Sequence, residues 1–478
     1  MPPAKQRASA GGFAWLCVGL ATLGLTACAT RPLDNPRAVL LDREAEPSRR
    51  ERALRQIVAQ DPAGADLTAL HDVTWSDRQP TKLRLACMDA LIAHDADAFW
   101  AAAARHIVTV DRLPVLWALC ERAALTHRRE MVGPLVRSWA RPAGTLDDLN
   151  RPEAFALQDL RATDDLFSLL WSVLRDPAEG YALTEETAAW VVLNRLDADA
   201  VAGLEQDAEV GPDALLHDLR RCAAAGVTPP THREGVLWLT WLMREADGAA
   251  WTRLARAAEQ WDGSPLALRH LPVLAAASPA RRRMSRGALV AAIDQALRGR
   301  PVHPRGLDAE REVYVPPLDE RWSDHRAAIG QADALLLMMV IEALEEPTVV
   351  RALFAQAEAD RVDTESEHGG ALRWDESGRL IAQPFASTLT SHDRRFISSH
   401  ALIEAMYTGL AHYHFHAQQH DNAPYAGPGG GDLKFAKRMG YACVVLTFVD
   451  AETLAADVYL PDGTVVDVGV LKRAGVAR

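Results

Sequence analysis

The chain has 478 residues, 49 % of them hydrophobic, and a formal net charge of −12. That is enough length and apolar content for two or three domains with sizeable cores. The acidic balance excludes nucleic acid as an expected partner, and it leaves little positive charge to hold an anionic membrane surface.

At the start, Lys5 and Arg7 precede an apolar run from Phe13 to Leu25. Charge followed by a short apolar run is the pattern of an export signal, too short and poorly flanked for a spanning helix. The run ends in Leu25, Thr26, Ala27 and Cys28, which resembles the bacterial lipobox. The resemblance implies that residues 1–27 are a lipoprotein signal peptide, that cleavage falls before Cys28, and that a diacylglyceryl thioether forms on its sulfur. The membrane would then be reached through the lipid anchor only. Ala29 stands where an Asp would imply inner-membrane retention, so the expected localisation is the cell envelope, as an outer-membrane lipoprotein facing the periplasm. Once Cys17 is removed and Cys28 acylated, Cys87, Cys120, Cys222 and Cys443 remain, widely spaced and without a Cys-x-x-Cys pair. They read as buried thiols, neither a disulfide framework nor a nucleophile.

Residues 28–48 read as a linker, and residues 49–300 as an all-α region. Apolar residues return at three- and four-residue steps through Leu83 to Ile92, Ala98 to Ile107, Leu113 to Leu125, Asp165 to Leu174, Ala188 to Leu196, Ala214 to Ala224, Val236 to Met243, Trp251 to Ala258, Leu266 to Ala276 and Ala288 to Leu297. Helices with short Pro-, Asp- or Gly-containing joints resemble a degenerate HEAT-type array, whose repeats run about 40 residues. No repeat signature recurs cleanly, so a plain irregular helical domain fits equally well. An array would imply a concave surface for envelope protein partners. Trp238, Leu239 and Trp241 read as core, and the basic run Arg281, Arg282, Arg283 and Arg286 as a solvated helix edge. Residues 301–322, broken by Pro301, Pro304 and the Pro316, Pro317 pair, form an expected joint.

Residues 323–478 read as α/β, a mixed sheet with flanking helices. Helices are expected from Asp324 to Glu345, Val349 to Ala359 and Ser398 to Met406. A hairpin is expected from Ala371 to Trp374 and Leu380 to Pro384, with further strands at Gly409 to Ala417, Ala442 to Asp450, Leu454 to Leu460 and Val465 to Leu471.

Seven of the 16 histidines fall between His368 and His420. His412, His414 and His416 alternate along one expected strand, so their side chains share a face and two imidazoles can reach one metal ion. Asp432 follows a glycine loop, and Glu367 precedes the Gly369, Gly370 pair. His420 and Asp421 read as a solvated loop, and Asp432 could serve only as a helix N-cap.

The order Glu-x-x-Gly, His-x-His and a loop closing on Asp resembles the JAMM metallopeptidases, also called the MPN or JAB domain, over roughly residues 325 to 475. The resemblance implies a zinc cofactor, His414, His416 and Asp432 as its ligands, and Glu367 as general base toward the zinc-bound water. The implied substrate is a peptide or protein, cut at a peptide or isopeptide bond. The family's usual Ser, three before the Asp, falls on Gly429 here, and the loop from His416 to Asp432 is five residues longer than the family pattern. Gly409, three before His412, favours His412 with His414, whereas the shorter loop favours His414 with His416, the pair expected here. The second class of function keeps the fold without the chemistry: a catalytically silent domain on a helical scaffold that binds envelope partners. Metal-dependent hydrolysis of a non-peptide amide is a third.

Overall fold

A computed structural model describes residues 32–60, 67–142, 146–175, 182–197, 199, 215–301, 320–387 and 396–473. The export signal, Cys28 and nearly all of the joint at 301–322 lie outside these residues. No helix among the described residues is long and apolar enough to cross a membrane. They form two compact units, one reaching His106 and including Val110–Val115, the other running from Leu116 onward and including Ile107–Thr109.

The first unit is helical: Pro36–Leu41, Pro47–Gln60, Leu67–Trp75, Thr81–His94 and Ala96–His106. Its core holds Leu40, Ile57, Leu70, Val73, Cys87, Leu91 and Phe99, all fully buried. Periodicity missed Pro47–Gln60, a charge-dense helix with Ala53, Leu54 and Ile57 as its buried apolar residues. Arg50, itself buried, compensates by donating to the Leu40 carbonyl and to Gln79.

In the second unit, helices from Val132–Trp139 to Arg286–Leu297 lead into a mixed six-stranded sheet. Two expected helices are shorter than their apolar pattern. Leu266 is taken by a parallel bridge to Val227, so that helix starts only at His270. The stretch from Asp324 breaks into Trp322–His325 and Gln331–Glu345, the second capped by Gly330. Two members of the basic run are tied down rather than solvated: Arg281 pairs with Glu342 at 2.6 Å, and Arg286 donates to the carbonyls of Ile329, Arg326 and Ala327. Nearby, Arg269 and His270 both grip Asp333 at 2.9 Å, tying helix His270–Ala276 to helix Gln331–Glu345.

The strands are β1 (Gly369–Trp374), β2 (Leu380–Phe385), β3 (Ala411–His416), β4 (Cys443–Asp450), β5 (Thr453–Tyr459) and β6 (Val465–Lys472). Their order is β2-β1-β3-β4-β5-β6, antiparallel throughout except for the β3–β4 pair. A parallel pair needs a crossover, and here it is the segment containing helix Gly430–Met439. One face of β3 turns Tyr413 and Phe415, both fully buried, into the core. On that side the Tyr413 hydroxyl donates to Gln356 at 2.6 Å, and Phe354 packs on Phe448, both partners lying on helix Pro347–Val362. The opposite face carries the histidines.

Helix Arg233–Arg244 docks on the sheet-bearing part through Trp238. Its indole N–H donates to the Tyr407 carbonyl at 3.0 Å, and its ring meets Tyr407 and Tyr441.

At Gly370 an added Cβ would stand 2.1 Å from the Gln383 carbonyl oxygen and 2.5 Å from the Tyr413 hydroxyl. The first neighbour is backbone and cannot swing away. Gly370→Ala is expected to cost about 3 kcal/mol or more, read as a lower urea midpoint; an unchanged midpoint would contradict the tight β1–β2 approach.

Burial lowers the imidazoles of His71, His106, His232 and His270 below the usual histidine value. The unfolded chain, with histidines titrating near about 6.5, then binds protons that the folded chain refuses. The resulting stability is present above that pH and is lost as pH falls below it. The urea midpoint should drop between about pH 7.5 and 5.5, before carboxylates with pKa values near about 4 begin to titrate. A flat midpoint over that range would count against it.

Candidate metal centre

β3 is the scaffold of the site. Alternation places His412, His414 and His416 on one face, and the crossover returns over that face with Asp432. The loop after β3 is pinned by Asn422, whose amide donates to the His416 carbonyl at 2.9 Å. Asp432 is not the N-cap of its helix. Gly429 holds that position, and Asp432, at the third residue of the first turn, reaches back to accept the Gly429 N–H at 2.6 Å.

The carboxylate also faces both imidazoles. His414 Nε2 lies 3.5 Å from Asp432 Oδ1, and His416 Nε2 lies 3.8 Å from Oδ2. One ligand atom from each of the three residues falls within 4.8 Å of the others. Donors bonded to tetrahedral zinc at about 2.0–2.1 Å stand about 3.3–3.4 Å apart, and the two histidine–carboxylate separations lie close to that spacing. His416 Nδ1 donates to the Tyr425 carbonyl at 2.9 Å, which turns the Nε2 lone pair toward Asp432. His414 Nε2 is buried and makes no hydrogen bond of normal geometry. A buried imidazole nitrogen 3.5 Å from a carboxylate is compatible with a metal ligand. The residues fit a zinc ion.

Electrostatics agree. Burial would raise the Asp432 carboxyl, but His414, His416 and the Gly429 N–H hold it well below the usual carboxylate range. Burial pulls the His414 imidazole down, yet Asp432, with Glu367 and Asp360 behind it, outweighs that and raises it. At His412 the pull of Asp432 is the smallest of the influences. Burial and the neighbouring His414 push this imidazole down to about 3, and its ring lies between Phe396 and Phe435. The His414 and His416 pair therefore approaches Asp432, and His412 stands outside the cluster.

Glu367 is buried, two residues before β1, whose register sets Gly369 opposite His414. Its charge acts on both His414 and Tyr459. No protein-family model, curated protein or solved structure matches the chain.

Gly429 stands where a hydroxyl was expected to help, and its N–H is already given to Asp432. Gly430 and Gly431 follow in the first turn, where amides have no intrahelical acceptor, and a Cβ on either would meet nothing within 4 Å. His420 is not a solvated loop residue: it contacts Glu358 at 3.1 Å and packs edge-on against Phe448. Asp421 is exposed. Three neighbours of the site escaped sequence reasoning: the Tyr425 carbonyl, fully buried Asp360, whose carboxylate accepts the His368 N–H, and Tyr459. Nothing in a linear sequence marks a tyrosine 45 positions away as a histidine's neighbour.

Proposed function

We propose that the C-terminal region is a zinc-dependent hydrolase of the JAMM type, acting on a peptide or isopeptide bond and carried on a lipid-anchored protein of the cell envelope. One observation carries the reading: His414, His416 and Asp432 converge within 4.8 Å, with buried Glu367 close enough to influence His414. Zinc held by these three residues would supply an activated water and polarise a carbonyl oxygen. The protein's own groups do the rest. Glu367 takes up a proton and passes it to the leaving amine. The first-turn amides of Gly430 and Gly431 are the donors for a developing oxyanion, replacing the missing hydroxyl. The lipobox-like Leu25 to Cys28 supports the anchor, and the helical region supplies a surface for substrate or envelope partners.

A second reading is favoured by Gly429 alone. With no side-chain hydroxyl and its amide committed to Asp432, the domain binds metal and is catalytically silent. Zinc content of the wild type against a His414→Ala, His416→Ala double variant tests the metal, and Glu367→Gln separates the two readings.

A further inference from the structure

Each ligand imidazole has a second nitrogen, and the two are handled differently. His416 Nδ1 meets a backbone carbonyl, which can only accept. His414 Nδ1 meets the Tyr459 hydroxyl at 3.5 Å, a group that can accept or donate. Tyr459 is fully buried on β5, its ring edge-on to His414 with centroids 6.5 Å apart. Cys443, also fully buried, is its register partner on β4, which sets the thiol beside the phenol while its S–H faces the Tyr441 carbonyl at 3.9 Å. A chain therefore runs from Asp432 through His414 and Tyr459 to Cys443.

Proton placement along that chain depends on the metal. Coordination through Nε2 requires the hydrogen on Nδ1, and that hydrogen needs an acceptor. In the unloaded site the favourable tautomer is the reverse, with Nε2–H aimed at Asp432 and Nδ1 seeking a donor. A phenol satisfies both states by rotating its O–H, toward Nδ1 in one and toward Cys443 Sγ in the other.

We infer that Tyr459 is the positioning residue for His414: its hydroxyl accepts from Nδ1–H in the metal-loaded site, fixing the ring so that Nε2 presents its lone pair, and donates to Nδ1 when metal is absent. The inference rests on the metal-centre reading. It adds a partner, contributed from β5, to the three ligands.

The test is a cobalt(II) titration of the full chain followed by its d–d absorption, with zinc competition. Tyr459→Phe keeps the ring and removes the hydroxyl. It is expected to bind cobalt about 10–100-fold more weakly than wild type, with altered d–d bands, while melting in chelator within a few degrees of it. Wild-type affinity and spectrum in folded Tyr459→Phe would overturn the inference. Should that variant not fold, Cys443→Ala replaces it, leaving the phenol but deleting its acceptor. A several-fold loss of affinity supports the relay, and no loss overturns it. If the wild type takes up no cobalt, the metal-centre reading itself fails, an outcome distinct from wild-type binding that Tyr459→Phe leaves unchanged.

Discussion

One zinc ion per chain is expected in protein purified without chelator and supplied with zinc, and none in the His414→Ala, His416→Ala double variant. Both imidazoles face the same carboxylate, at 3.5 and 3.8 Å. Removing them leaves Asp432 as the sole member of the cluster, and a single carboxylate does not hold zinc against water. The loss should far exceed the roughly 10–100-fold that deleting an outer partner costs. Elemental analysis reads it directly. Equal zinc in both proteins would move the site elsewhere, and no zinc in either would remove the hydrolase reading and leave an interaction protein.

Turnover of a peptide or isopeptide substrate is expected to fall about 100- to 10,000-fold in Glu367→Gln, with zinc content unchanged. Glutamine keeps the shape of the side chain and loses the ability to take a proton. Because Glu367 is not among the three clustered residues, metal retention and activity loss should separate cleanly. A wild type that holds zinc and cleaves nothing across a peptide library would favour the silent domain. A Glu367→Gln variant as active as wild type would place the proton acceptor elsewhere.

How much of this could be read beforehand depends on how local each feature is. All six strands and many of the helices from Thr81 onward carry their own local signal, so apolar spacing, turn composition and β-branched runs revealed them, whereas Val132–Trp139 and Pro152–Arg161 went unread. The clustered residue types and their order were equally visible, because alternation on one strand and an Asp behind a glycine loop are local patterns. What no local pattern encodes is adjacency between distant segments. Which two of the three histidines approach Asp432 depends on where the crossover helix starts. Tyr459 reaches His414 only because β4 lies between their strands. Arg286 looked like a solvent-facing charge because its three carbonyl acceptors lie 40 to 43 positions away.

The docking of Trp238 bears on what kind of object the sheet-bearing region is. Its indole bonds the Tyr407 carbonyl across 169 positions and covers the rings of Tyr407 and Tyr441. A fragment beginning near residue 323 would bare two aromatic rings and strip a peptide carbonyl of its donor beside the strand that bears the histidines. The sheet-bearing region is therefore no cassette to be excised and grafted elsewhere; the helix before it is part of its wall.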